Sequence, residues 1–153
     1  MNNKKSLKFL NGLLRVILFV ILMLFIAMFY LRLEKGELMN NLLATFVGLI
    51  VLVAYFMTVY TLKKIVDSIR ARDPFVLDNV TNFKRIGTYI LIIGIIEAIV
   101  NYPVPTNFVL LGTKYGSVKP IFFLYLILSI MSFVLGDVFR MAMEIKDEND
   151  LTV

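Results

Sequence analysis

Residues 42–65 read LLATFVGLIVLVAYFMTVYTLKKI, and no charge occurs before Lys63. About 20 apolar residues at 1.5 Å per residue cross the roughly 30 Å of a bilayer core. In lipid the backbone has no water to bond, so a run of this kind must satisfy its amides internally as a helix. Three further runs have the same character: residues 13–33, the shorter 86–102, and 120–139. The sequence therefore predicts an all-α integral membrane protein with four transmembrane helices, forming a single domain over residues 1–153.

Composition agrees with this reading. Of 153 residues, 59% are hydrophobic and 18% charged. Soluble domains hold about 45–50% apolar residues. The excess lies in long blocks, which marks a membrane protein rather than a large soluble core. The first run follows Lys4, Lys5 and Lys8 and so imitates a signal peptide. It is too long for a signal sequence and lacks a small-residue cleavage site, so it reads as a retained span. With no Cys and no His, thiolate nucleophiles, disulfides, Cys/His metal sites and His-based triads are excluded. No cofactor is expected, nor is an enzyme, because no compact acid/base constellation or phosphate-binding motif is visible.

Positive charge sets direction in a membrane. Lys4, Lys5, Lys8 and Arg15 precede or begin the first span. Lys63, Lys64, Arg70, Arg72, Lys84 and Arg85 flank the central loop, and Arg140 and Lys146 lie in the tail. The opposite side holds Arg32, Lys35, Lys114 and Lys119. Both termini, the loop 66–85 and the tail 140–153 are thus expected in the cytoplasm. The net charge of +5 then reflects contact with anionic lipid. Direct nucleic-acid binding is not expected, since the basic residues follow topology and the tail is acidic.

Helical extensions are expected on the cytoplasmic side. Leu62, Ile65, Val66 and Ile69 form an apolar stripe that prolongs the second helix, while Lys63, Lys64, Asp67 and Arg70 take other faces. Asp73-Pro74 breaks it, because Pro74 lacks an amide donor. Asp78 is the expected N-cap of the next helix. Val80, Phe83 and Ile86 continue one face into the third span, and Val138, Ala142 and Ile145 prolong the fourth helix. Ala44/Gly48, Gly94/Ala98 and Ser132/Gly136 each place two small side chains on one face, and packing within the chain is favoured over dimerisation. A homo-oligomer remains a second possibility.

Three polar groups fall inside or beside the spans. Glu97 lies about 7–8 Å inside the third span's outer end. Such a carboxylate is costly unless paired, protonated or wetted, and Arg32, Lys114 and Lys119 are its expected partners. Asp137 and Arg140 are three residues apart and are expected to pair. The outer loop 103–119 is long and partly apolar; Pro103 and Pro105 end the third helix, and Phe108–Leu111 are expected to dip into the interface or cap a cavity. An alternative function follows: a small-molecule or lipid sensor, or a transporter subunit, using Glu97 and this loop. Against transport, the chain shows no inverted repeat and no broken helix pair.

The loop DPFVLDNVTNFKRIG and the stretch VFRMAMEIKDENDLTV, set among four apolar spans, resemble the YoaS-like family of small bacterial membrane proteins, a domain of unknown function. The resemblance covers essentially the whole chain. Its most specific parts are Pro74-Phe75, Asn79, Arg85-Ile86-Gly87 and the run Glu148, Asn149, Asp150, Leu151, Thr152 and Val153. It implies no catalytic residues. It implies a bacterial cell membrane and a gene setting beside a small Cro/CI-type helix-turn-helix regulator. The expected activity is therefore to hold or release that regulator at the membrane. The partner-binding residues are then Pro74, Phe75, Asn79, Arg85 and Glu148 to Val153.

Overall fold

The computed structural model describes residues 2–36, 41–71, 74–104 and 111–151. Four helices carry the chain: α1 Asn2–Glu34, α2 Leu42–Arg70, α3 Leu77–Val100 and α4 Pro120–Leu151. They run up, down, up and down, so that Asn2, Arg70, Leu77 and Leu151 share one end of the bundle. The antiparallel order follows from the contacts. Asn11 of α1 meets Asp67 of α2, and Arg32 meets Thr45. Ser68 of α2 meets Asn79 of α3, and Gly87 of α3 meets Ser129 of α4.

The bundle is apolar outside and polar within. Among the described residues the buried hydrophobic side chains are Leu14, Ala54, Ile65, Val66, Val80, Ile86 and Ile93. Eight buried polar side chains accompany these seven: Asn11, Thr45, Thr61, Asn79, Asn82, Ser117, Ser129 and Ser132. Large apolar side chains such as Phe19, Leu43, Phe46, Ile99 and Ile127 are exposed. Water would penalise such a surface, while lipid tails match it. α1, α2 and α4 are each long and apolar enough to cross a membrane. α3, at 24 residues about 36 Å long, is not one of these three, because Lys84, Arg85 and Glu97 interrupt its apolar run.

α1 packs on α2 along a narrow seam. Leu7, Asn11, Leu14, Leu18, Ile21, Phe25, Met28 and Arg32 are its less exposed residues, and every other described side chain on α1 is exposed. Their alternating four- and three-residue steps are those of a coiled-coil seam. Asn11 and Arg32 close that seam at opposite ends, each bonded to α2.

α3 and α4 pack the closest, because small residues face each other. A Cβ placed on Gly94 would lie 2.7 Å from Tyr125 Cβ, and one on Gly136 would lie 3.3 Å from the Val80 carbonyl oxygen. Ser132 donates to the Phe83 carbonyl and Ser129 to that of Gly87, both at 2.8 Å. Two of the three expected small-residue faces, those of Gly94 and of Ser132/Gly136, thus pack within the chain. Gly48 has only Met28 Sδ within 4 Å of a would-be Cβ, at 3.6 Å.

Two local expectations are corrected and one element is added. Asp78 is not the N-cap of α3: Val76 holds that place, without a side-chain cap bond. Pro74 and Phe75 delay the helix only until Leu77, which leaves Asp78 in the first turn, where its charge still complements the helix dipole. The outer loop carries an element that the sequence did not signal. β1 Leu111–Thr113 and β2 Gly116–Val118 form a hairpin with Thr113 opposite Gly116. The strands are short, and Lys114-Tyr115 gives a weak turn signal beside the Asn-Gly type. Of the expected interfacial stretch Phe108–Leu111, only Leu111 lies within the described residues, and it is exposed. Finally, Asp137 does not pair with Arg140. It accepts an ion pair from Lys84 of α3 at 3.0 Å, while Arg140 turns one helical turn onward to Glu144 at 3.2 Å.

Candidate functional site

Two regions carry the polar chemistry, one at each end of the bundle. At the end shared by Asn2 and Leu151, the α2–α3 connection is organised by Asn79. Its side chain is 1% exposed. The amide donates to the Pro74 carbonyl at 2.7 Å and to Ser68 Oγ at 2.9 Å. Asn79 therefore holds the loop in shape and is not itself open to a partner. Phe75 lies over Phe139, which also meets Phe83, with ring centroids 5.8 and 4.8 Å apart. This aromatic cluster joins the loop to α4. Pro74 is half-buried, and Phe75 and Arg85 are exposed.

Asp67 is a centre that the sequence reading did not single out. It takes a hydrogen bond from buried Asn11 and an ion pair from Lys63 at 2.6 Å. The 3–4 spacing of α1 was the available signal, since Asn11 occupies a seam position. Asn11 Oδ1 has no partner of its own, a cost that a purely structural core avoids.

Beyond Phe139, α4 continues unbroken to Leu151. Gly136 packs on Val80, and α3 begins at Leu77, so the turns after Arg140 extend past the start of α3. Residues 141–151 add about 16 Å. Met141 and Ile145 are exposed at 55% and 60%, beside exposed Glu144, Asp147 and Glu148. Asn149 is also exposed. Asp150 and Leu151 belong to the helix, and Thr152 and Val153 lie outside the described residues.

At the hairpin end, Glu97 accepts a bond from Asn101 at 2.6 Å. Arg32 donates to Thr45 Oγ1 at 2.6 Å. Arg32 and Glu97 both border one mostly apolar cavity of about 490 Å³, walled also by Val47, Gly48, Val51 and Ile96. Of the three expected partners of Glu97, the structure brings Arg32 to this cavity. Lys114 instead stands over the Tyr115 ring, 4.9 Å from its centroid. Tyr55 and Tyr125 join α2 to α4 through their hydroxyls at 2.7 Å. The hairpin is fastened to Tyr102: Ser117 N donates to its carbonyl at 2.9 Å, and its hydroxyl meets Thr113 Oγ1 at 3.0 Å. Among the described residues no three acidic side chains gather as a metal site would require.

Helices this apolar, with small and polar residues at their contacts, define an integral membrane protein of the helical-bundle class. The family model for proteins of unknown function, DUF2975, matches residues 12–153, and the chain belongs to that family. No curated protein and no solved structure matches the chain.

Proposed function

We propose that this chain is a non-enzymatic, four-span protein of the bacterial cell membrane. In this reading α3 is the fourth span, and the end shared by Asn2 and Leu151 lies in the cytoplasm. Its task is to bind a small soluble helix-turn-helix regulator at that end. The likeness to YoaS-like proteins supports the choice of partner, and the positive-charge bias supports the orientation.

The observation that carries the reading is the projecting part of α4. A helix that leaves the bundle with exposed Met141 and Ile145 beside Glu144, Asp147 and Glu148 offers an apolar stripe flanked by negative charge. A DNA-binding domain presents basic residues to phosphate. An acidic helix competes for that same surface, so the regulator held at the membrane is kept from DNA. The exposed Phe75 and Arg85 lie at the same end and widen the contact.

Affinity purification from mild detergent tests the reading. Full-length protein is compared with a version ending at Arg140 and with the triple variant Glu144→Lys, Asp147→Lys, Glu148→Lys, all matched for membrane insertion. A small helix-turn-helix protein should copurify with the full-length form alone. Copurification undiminished by either change removes α4 as the contact, and absence of any such protein from the full-length sample removes the proposed function.

A further inference from the structure

We infer that the Arg32–Glu97 cavity binds the headgroup of a zwitterionic, primary-amine phospholipid, with phosphate on Arg32 and ammonium on Glu97. The inference needs the bundle to lie in a bilayer and is independent of the regulator proposed above.

Arg32 and Glu97 line the same cavity yet form no ion pair with each other, and among the described residues neither has an ion-pair partner. Among the described residues, the side chains hydrogen-bonded to them are neutral, Thr45 for Arg32 and Asn101 for Glu97. Those bonds orient the two charges without neutralising them. At the lipid boundary, against apolar walls, each charge gains from a partner of opposite sign. A ligand with one anionic and one cationic group satisfies both at once. A singly anionic lipid satisfies Arg32 but faces repulsion from Glu97.

Height and shape give the rest. Arg32 lies two residues from the end of α1 and Glu97 three from the end of α3, so both sit within about one helical turn of the hairpin end. That is the level of lipid headgroups, not of acyl chains. The remaining walls are apolar: Val47, Gly48 and Val51 continue down α2, and Ile96 faces them from α3. Leu43 at its rim is 79% exposed, which places the cavity on the perimeter of the bundle. A headgroup held between the two charges thus leaves its chains along an apolar groove that opens to the bilayer. The volume of about 490 Å³ falls in the range of small-molecule sites.

The test is lipid retention. Protein in mild detergent is loaded from an equimolar mixture of phosphatidylethanolamine and phosphatidylglycerol, and bound lipid is read by native mass spectrometry. The wild-type protein should retain phosphatidylethanolamine about tenfold over phosphatidylglycerol. Glu97→Gln still accepts from Asn101, so the fold is kept while the preference should fall to parity. Val51→Phe fills the groove without touching either charge and should lower retention of both lipids. Equal retention by the wild-type protein overturns the inference, as does a preference unchanged in Glu97→Gln. Displacement by millimolar phosphoethanolamine, the headgroup without chains, overturns the assignment to a lipid and points to a soluble zwitterion.

Discussion

Asn79 donates its side-chain amide to the carbonyl oxygen of Pro74 at 2.7 Å, five residues back along the chain. The same amide reaches Ser68 Oγ on α2, so one buried group fixes the end of α2, the loop and the start of α3. Asn79→Ala leaves two acceptors without their donor. The loss of such buried bonds costs about 1–3 kcal/mol. The expected outcome is a clear fall in the detergent melting temperature, with faster proteolysis between Arg70 and Leu77. An unchanged melting temperature and protease pattern refute this role.

Gly94 and Gly48 should respond differently to the same substitution. A Cβ on Gly94 meets Tyr125 Cβ at 2.7 Å. That atom is fixed to the α4 backbone, so α3 and α4 must separate. Gly94→Ala should destabilise by about 1–3 kcal/mol, the usual cost of overpacking, and should disturb the Tyr55–Tyr125 contact. Gly48 faces the flexible Met28 Sδ at 3.6 Å, so Gly48→Ala should stay within about 0.5 kcal/mol of the parent. Denaturation in mixed micelles reads both values, and equal costs contradict the packing described.

The hairpin supplies a third test. Gly116 sits against the Tyr102 carbonyl and ring so closely that a Cβ has no room. The carbonyl is backbone and is already bonded by Ser117 N. Gly116→Ala should therefore lift the hairpin from Tyr102 and leave the helices intact. Trypsin cleavage after Lys114 should quicken while the helical circular dichroism is unchanged. Cleavage at the parent rate argues against the docked hairpin.

The elements were legible in the sequence because lipid leaves few choices. Runs such as 42–65 admit only a helix, and the stripe at Leu62, Ile65, Val66 and Ile69 revealed that α2 continues past the span. Ile65 and Val66 are indeed buried. The polar partners were less legible, because spacing within one helix does not show which neighbour a side chain meets. Asp137 and Arg140 have good spacing for a pair, but Lys84 on α3 reaches Asp137 first. Asn79 looked like a contact residue within a loop motif and is in fact enclosed. Arg32 was one of three expected partners of Glu97, 65 positions away, but that the two share a cavity without pairing depends on the antiparallel packing.

The proposed sidedness yields the last prediction, and the absence of cysteine makes it direct. Single cysteines at Lys5, Ala71, Tyr115 and Glu148 occupy exposed positions and can be labelled with a membrane-impermeant maleimide. If α3 crosses the bilayer and both ends of the bundle's chain face the cytoplasm, Tyr115→Cys reacts in intact spheroplasts. Lys5→Cys, Ala71→Cys and Glu148→Cys then react only after permeabilisation. If α3 does not cross, Tyr115→Cys falls on the same side as Ala71→Cys, and Glu148→Cys moves to the side opposite Lys5→Cys. The two arrangements differ at two of the four positions, so one labelling series distinguishes them. The second result would also strip the projecting turns of α4 of their access to a cytoplasmic regulator.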